Sequence, residues 1–152
     1  MSRVQLAINV DDLQESVDFY SKLFGTTPAK VRPGYANFAV AEPPLKLVLI
    51  ENPGHGGSLN HLGVEVEDVD RVDELQTRLA QDGLASVDER GTTCCYAKQD
   101  KFWVQRSPNG ERWEVYTVLE DSATFSASAP DQEGCCGSAA SDSGEQQVCC
   151  AS

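Results

Sequence analysis

The chain has 152 residues, of which 24 are acidic and 12 are basic, and its formal net charge is −12 at pH 7. This length fits one domain. The acidic balance argues against binding to nucleic acids or anionic membranes, which require patches of Lys and Arg. The sequence contains no long apolar run and no signal-peptide pattern, so we expect a cytoplasmic protein.

Two segments of the chain repeat each other. Residues 4–13 (VQLAINVDDL) align without gaps with residues 60–69 (NHLGVEVEDV), and every apolar position coincides. Each segment alternates apolar and polar residues, which indicates a half-buried strand. Each then leads into an amphipathic helix that has an aspartate before it and a glycine (Gly25 or Gly83) after it. Duplication of one strand–helix–strands unit explains this pattern best.

Short strands follow each predicted helix. In the first unit the predicted strands are Tyr35–Val40 and Leu45–Glu51. In the second unit they are Cys94–Lys98, Phe102–Arg106 and Arg112–Thr117, with a turn at residues 108–110. We therefore predict an α+β fold of two βαβββ modules, residues 1–56 and 57–120. Their mixed sheet would curl around a metal cleft, with the helices outside.

The composition changes at residue 121. Residues 121–152 contain five acids, no Lys or Arg, and Phe125 as their single aromatic residue. Such a segment cannot bury enough apolar surface to offset the entropy lost on ordering. We predict a disordered acidic tail that carries four of the six cysteines, namely Cys135, Cys136, Cys149 and Cys150.

The polar faces of three predicted strands carry candidate metal ligands. Gln5 shares its face with Ala7, and its repeat mate His61 shares a face with Gly63, so both candidates have room beside them. Glu114 lies on the polar face of the last strand. A pseudo-twofold arrangement would bring Gln5, His61 and Glu114 together. An amide oxygen, an imidazole and a carboxylate on one side of a divalent ion leave coordination positions open, which suits catalysis.

All six cysteines occur as adjacent pairs, and one pair, Cys94-Cys95, lies in the domain. Neighbouring cysteines staple distant segments poorly, and in a reducing cytosol they are expected to be free dithiols that bind a soft ion. A trivalent organoarsenical, RAs(OH)₂, has two exchangeable hydroxyls, whereas arsenite has three. One dithiol therefore saturates the organoarsenical and leaves its carbon free to face the metal.

These motifs together resemble the vicinal oxygen chelate superfamily, which includes glyoxalases, extradiol dioxygenases and bleomycin- and fosfomycin-resistance proteins. Within residues 3–118 the resemblance is closest to the organoarsenical carbon–arsenic lyases and the related cadmium-induced proteins. The motifs that carry it are VQLA at 4–7, LNHLGV at 59–64, TTCC at 92–95 and RWEVY at 112–116, together with the cysteine-containing tail.

The resemblance implies an Fe(II)- and dioxygen-dependent lyase that splits the carbon–arsenic bond of methyl- or arylarsenites and releases arsenite. Gln5, His61 and Glu114 would hold the iron, and Cys94 and Cys95 would hold the arsenic. Iron dioxygenases usually have His at the position of Gln5, so the native metal stays open.

A glyoxalase would have a fourth ligand near Val48, where this chain has no acid unless the register shifts to Glu51. This departure from the glyoxalase pattern favours a three-ligand site of the kind that activates dioxygen on iron.

Two rival functions stay open on the sequence alone. One is a protein that sequesters cadmium or arsenite through its dithiols, with a vestigial metal triad. The other is a superfamily enzyme that acts on an antibiotic or a catechol, with incidental thiols. The sequence also leaves open the preferred arsenical, the choice between monomer and homodimer, and the role of the tail cysteines.

Several residues near the motifs receive a structural interpretation instead. Lys98 and Lys101 are interpreted as solvated, Trp103 as core, and Tyr116 as a pocket residue without an assigned role. The segment 91–101 is predicted to be a loop that closes over the substrate.

Overall fold

A computed structural model describes residues 1–126. The predicted disordered tail and its four cysteines lie, apart from residues 121–126, outside the described residues. Each module contains one helix and four strands. The first module consists of β1 (Arg3–Val10), α1 (Leu13–Phe24), β2 (Lys30–Arg32), β3 (Tyr35–Val40) and β4 (Leu45–Glu51). The second consists of β5 (Leu59–Glu65), α2 (Val69–Gln81), β6 (Ser86–Cys94), β7 (Ala97–Val104) and β8 (Trp113–Asp121).

All eight strands form one mixed sheet in the order β2-β3-β4-β1-β5-β8-β7-β6. Within each module the first and last strands pair in parallel, β1 with β4 and β5 with β8. The antiparallel pair β1–β5 joins the modules at the centre of the sheet. The curled sheet confirms the predicted α+β fold with two βαβββ modules.

Both helices begin and end where the sequence predicts. The Asp12 carboxylate accepts a hydrogen bond from the Glu15 backbone N–H at 2.7 Å, and Gly25 ends α1 with a φ of 61°. Asp68 caps α2 in the same way, accepting from the Arg71 N–H at 2.9 Å. These caps satisfy backbone donors that a helix start leaves unpaired.

The helices cover one face of the sheet and leave the other for the cleft. Val17 of α1 joins an apolar cluster with residues of β3 and β4, and Val72 of α2 joins a second cluster with Phe102 and Val115. Among residues 1–126, no helix is long and apolar enough to cross a membrane.

The structure differs from the strand predictions in three places. The sequence analysis missed β2, which has three residues, and β6, which is polar along most of its length. The predicted strand Cys94–Lys98 is instead the end of β6, a two-residue turn and the start of β7. The segment 91–101 is therefore a hairpin of the sheet rather than a loop that closes.

The ordered fold continues a short way past residue 120. Strand β8 ends at Asp121, Ser126 forms a β-bridge with Cys94, and the Phe125 ring lies 5.6 Å from the Tyr96 ring, centroid to centroid. These contacts attach the start of the predicted tail to the hairpin that carries the dithiol.

Candidate functional site

The register of the sheet places Gln5, Gly63 and Glu114 in one row across three neighbouring strands. Gln5 of β1 pairs with Gly63 of β5, and Gly63 pairs with Glu114 of β8. Gly63 has no side chain, so those of Gln5 and Glu114 meet above it. A Cβ atom at Gly63 would lie 3.2 Å from Gln5 Cβ and 3.2 Å from Glu114 Cγ. The glycine therefore keeps this row open.

His61 completes the cluster from the same face of β5, two residues before Gly63. Gln5 Nε2 lies 2.9 Å from His61 Nε2 and donates to Glu114 Oε1 at 2.9 Å. His61 Nε2 and Glu114 Oε1 are 3.2 Å apart. All three side chains are buried. The structure thus brings the three predicted ligands together; that they hold a metal stays a prediction.

The spacing of these three side chains fits one face of a metal's coordination sphere. Three ligand atoms about 2.1 Å from an octahedral ion are about 3.0 Å apart. The separations here are close to that value, but those to Gln5 are measured to its Nε2, so an amide oxygen in the place of that nitrogen would complete the set. Among residues 1–126 no three His, Cys, Asp or Glu side chains form a metal cluster, so Gln5 is needed as the third ligand. An imidazole, a carboxylate and an amide oxygen suit Fe(II) and other borderline divalent ions.

The position of the proton on His61 follows from its neighbours. His61 Nδ1 lies 2.7 Å from Asn60 Oδ1, which can only accept. Asn60 is held in turn by its own amide group, which donates to Asn9 Oδ1 at 3.1 Å. A neutral imidazole with its proton on Nδ1 presents the Nε2 lone pair to the cluster, as a metal ligand requires.

Glu51 does not act as a fourth ligand. Its carboxylate accepts a hydrogen bond from the Leu13 backbone N–H at the start of α1, at 3.1 Å. Val48 pairs with Ala7 as Glu114 pairs with Gly63, so Val48 is the counterpart of Glu114 in the first module. The first module therefore contributes Gln5 as its single candidate ligand.

Lys101 lies at the candidate site, and the sequence analysis misassigned it. Its side chain is fully buried, and its Nζ lies 3.1 Å from Glu114 Oε2 and 3.4 Å from Glu89 Oε2. Burial would raise the pKa of Glu114, but the Lys101 ammonium holds it well below its usual range. The prediction of a solvated lysine is wrong because Lys101 lies on the cleft face of β7, beside β8. Lys98, in contrast, is half-buried and pairs with Glu120 at 3.2 Å.

Tyr116 was assigned to the pocket without a role, and the structure gives it two polar contacts. Its hydroxyl is hydrogen-bonded to Gln5 Oε1 and lies 2.8 Å from Glu65 Oε2. Glu65 also accepts from Arg3 at 2.8 Å and from Lys46 at 2.7 Å. Burial alone would raise the pKa of Glu65, but Lys46, Tyr116 and Arg3 together lower it. Burial raises the pKa of Tyr116 well above its usual value, so the phenol keeps its proton.

The dithiol lies at a strained turn between β6 and β7. Cys95 and Tyr96, the two central residues, have φ values of 56° and 60°, a conformation that favours Asn and Gly. Other contacts hold the turn in place: the Tyr96 hydroxyl donates to the Pro33 carbonyl at 3.0 Å, and Lys30 donates to the Tyr96 carbonyl at 3.1 Å. Strain of this kind is concentrated at functional sites.

The turn presents the thiols of Cys94 and Cys95 side by side. Cys94 Sγ and Cys95 Sγ are 3.4 Å apart; Cys94 is buried and Cys95 is half-buried. Cys95 lines a cavity of about 230 Å³ whose walls also include Gln5, Glu114 and Tyr35. One cavity therefore connects one thiol of the pair with two of the candidate metal ligands, all within a single chain.

Trp103 is buried, as predicted, but it packs at the site rather than in an apolar core. Its ring meets the His61 ring edge-on at 5.6 Å between centroids, and Lys101 Nζ and Arg112 Cζ lie over it at 4.8 and 4.4 Å from its centroid. The signal available in the sequence was the alternation along β7, which puts Lys101 and Trp103 on one face.

Comparison with known proteins agrees with this architecture. Residues 3–115 match the model of the Glyoxalase/Bleomycin resistance protein/Dioxygenase superfamily. A relative named trivalent organoarsenical cleaving enzyme, from Thermomonospora curvata, is 61% identical over 90% of this chain and 89% of that protein. The cadmium-induced protein CadI of Mycobacterium tuberculosis is 57% identical over 99% of this chain and 93% of that protein.

Among solved structures, the Mn(II)-bound glyoxalase from Novosphingobium aromaticivorans is similar in fold. Its TM-score is 0.54 at 18% identity, over 86% of this chain and 44% of that one. At this identity the likeness concerns the fold alone.

The cluster predicts which variants lose metal. We expect Glu114→Ala and His61→Ala to lose stoichiometric Fe(II) in an anaerobic titration, since each removal leaves two protein ligands at most. Their arsenical binding should persist, because thiolates are the soft ligands. Glu120→Ala on the same strand and His55→Ala, the second histidine, are exposed matched controls. Normal iron binding by Glu114→Ala would contradict the assignment of the metal site.

The buried ion pair between Lys101 and Glu114 predicts that metal binding and the free energy of unfolding are coupled. Lys101→Met leaves the Glu114 carboxylate buried without this cation, which should lower the free energy of unfolding of the metal-free protein by about 3 kcal/mol. Added metal should recover much of the loss. The control Lys98→Met, at a lysine whose side chain is 44% exposed, should change the free energy of unfolding by less than about 1 kcal/mol. Denaturant unfolding with and without metal provides the measurement.

The Lys101–Glu114 pair also predicts how the free energy of unfolding changes with pH. Glu114 has a lowered pKa in the folded state, so its contribution to stability is present above its ordinary pKa of 4.5 and declines as the pH falls below that value. In Lys101→Met this decline should be smaller than in the unchanged protein. An equal decline in both proteins would contradict the role given to Lys101.

Proposed function

This chain belongs to the Glyoxalase/Bleomycin resistance protein/Dioxygenase superfamily, and from that premise we propose that it cleaves the carbon–arsenic bond of trivalent organoarsenicals. Its substrates are methyl- or arylarsenites and its inorganic product is arsenite. The reaction uses Fe(II) and dioxygen. The name of the Thermomonospora curvata relative supports the reaction, and the site supports the choice of substrate.

The proposal depends on the position of the dithiol beside the candidate metal triad. The dithiol sulfurs lie 3.4 Å apart, and Cys95 faces the same cavity as Gln5 and Glu114. Thiolates bind soft centres such as As(III), whereas the imidazole and oxygen ligands bind harder divalent ions. A substrate held by its arsenic at the turn would lie in the cavity that Gln5 and Glu114 also line, and we propose that its carbon faces the triad.

Substrate capture is an exchange of ligands on arsenic. Each thiol of Cys94 and Cys95 forms one As–S bond, each displaced hydroxide takes a thiol proton, and two waters leave. The oxidation states do not change. Two As–S bonds and one As–C bond then satisfy the arsenic, and the rigid turn fixes the direction of the As–C bond.

The triad residues supply the second half of the site. Gln5, His61 and Glu114 would hold the metal, which supplies redox chemistry with dioxygen that protein side chains lack. Trp103 packs against the His61 ring and Lys101 holds Glu114, so these two ligands are fixed before metal arrives. Val48 and Ala97 are apolar residues of the cavity wall, and we assign this part of the wall to the organic group of the substrate.

Sequestration of a soft metal by the dithiol is the second candidate, because a relative of 57% identity is named a cadmium-induced protein. The two functions differ in their need for the triad. An enzyme consumes dioxygen when a methylarsenite is added, and Glu114→Ala abolishes that consumption. A sequestering protein binds Cd(II) or arsenite equally well with and without Glu114.

The capture step predicts the effect of removing one thiol. Cys94→Ser and Cys95→Ser should each abolish turnover and lower methylarsenite affinity at least about tenfold, because one thiolate cannot form the chelate. The matched control changes the four tail cysteines to serine and should keep most of the activity. Inactivity of the tail variant together with full activity of Cys94→Ser would move the substrate thiols to the tail.

The proposed cofactor predicts a dependence on both metal and oxygen. Metal-free protein should regain turnover with Fe(II) in air and lose it under argon, as measured by arsenite release. Zinc-loaded protein should still bind the arsenical through its thiols without cleaving it. Full turnover with zinc in the absence of oxygen would replace this chemistry with hydrolysis.

A further inference from the structure

The Tyr116 hydroxyl lies between two hydrogen-bond acceptors and can donate its proton to one of them at a time. It is hydrogen-bonded to Gln5 Oε1 and lies 2.8 Å from Glu65 Oε2. A phenol has one proton to donate and lone pairs with which to accept. When that proton goes to Glu65, the Tyr116 oxygen is free to accept a hydrogen bond from Gln5 instead.

The Gln5 amide has its NH₂ group turned toward the other two candidate ligands. Gln5 Nε2 lies 2.9 Å from both His61 Nε2 and Glu114 Oε1, which are acceptors when the imidazole proton is on Nδ1. The two amide protons therefore satisfy these two acceptors and occupy the space between the three side chains in which a metal ion would bind. An amide NH₂ has no lone pair for a metal, so in this orientation Gln5 is not a ligand.

We propose that Tyr116 and Glu65 are positioning residues that let the Gln5 amide rotate by half a turn when metal binds, and that favour the rotated, metal-binding orientation. The inference rests on the proposed function in so far as that function requires a metal at the triad.

Rotation leaves every polar group in this network with a partner. Gln5 Oε1 takes the place of Nε2 and faces the metal, together with His61 Nε2 and Glu114 Oε1. Gln5 Nε2 then donates to the Tyr116 oxygen, and Tyr116 donates its proton to Glu65 Oε2. No proton leaves the network and no charge is moved.

Glu65 favours the rotated orientation because it carries a negative charge. Its carboxylate is fixed by Arg3 at 2.8 Å and by Lys46 at 2.7 Å, so it cannot turn away from Tyr116. A hydrogen bond from a phenol to a carboxylate is stronger than one to a neutral amide oxygen. The network therefore offsets part of the cost of giving up the two hydrogen bonds that the NH₂ group makes in the metal-free protein.

The first test is a Zn(II) titration of four variants in a full-length background whose six cysteines are changed to serine, because thiolates would otherwise bind the zinc. Tyr116→Phe should weaken Zn(II) binding about tenfold or more, the usual effect of removing a group that orients a ligand. Tyr35→Phe is the matched control, because this buried tyrosine lines the same cavity and its hydroxyl contacts Asn37 rather than Gln5. In a Gln5→Glu background both terminal atoms of the side chain are oxygens, so Tyr116→Phe should reduce the Zn(II) affinity much less.

Equal losses in the two backgrounds, or an equal loss for Tyr35→Phe, would overturn the inference while leaving a metal-dependent function intact. Failure of the unchanged protein to bind either Zn(II) or Fe(II) would overturn the proposed function and the inference with it.

The second test uses the unchanged protein and does not depend on the folding of a variant. The side-chain NH₂ protons of Gln5, assigned by their loss in Gln5→Glu, should show nuclear Overhauser contacts to the His61 ring in the metal-free protein. On addition of diamagnetic Zn(II), these contacts should be replaced by contacts to the Tyr116 ring. Zinc binding that leaves the contacts to His61 in place would show that the amide does not rotate.

Discussion

The register between β1, β5 and β8 is the constraint on which the site depends. It sets Gln5 and Glu114 on either side of Gly63, so that two side chains from strands that are not neighbours meet above the strand between them. A slip of β5 by one residue would turn His61 into the apolar face and replace Gly63 by a leucine or a valine. The apolar cluster beneath α2 helps to fix this register, because it includes Val64 on the opposite face of β5 from His61.

The fold and the three candidate ligands could be predicted because they follow from periodicity. Alternation with period two decides which side chains share a face, and the repeat of residues 4–13 at 60–69 decides which strands are equivalent. Capping residues such as Asp12 and Gly25 mark the helix ends by local chemistry alone. The absent fourth ligand was located near Val48 by the resemblance to glyoxalases, and the strand pairing makes Val48 the counterpart of Glu114 in the structure.

The features that escaped prediction depend on partners far away in the sequence. The burial of Lys101 is favourable because Glu114 and Glu89 lie on the strands on either side of β7, and an isolated lysine in a polar run gives no sign of this. Strand β6 lacks apolar alternation because it is an edge strand with both faces largely polar. The turn at Cys95 and Tyr96 has none of the usual turn residues, since tertiary contacts hold it against its local preference.

Charge balance explains why the orientation of one neutral amide matters at this site. Lys101 already compensates Glu114, and Arg3 and Lys46 surround Glu65, so an incoming dication meets little excess negative charge. Its binding then depends on how well the neutral ligands His61 and Gln5 present their lone pairs. Asn60 does this for His61 by fixing the imidazole proton on Nδ1. A glutamine ligand depends even more on a neighbour that fixes its orientation. Its amide oxygen and nitrogen are nearly identical in shape, but only the oxygen can bind a metal. The Tyr116 hydroxyl contacts the Gln5 amide on the side away from His61 and Glu114. Its single proton therefore links the orientation of Gln5 to the fixed charge of Glu65.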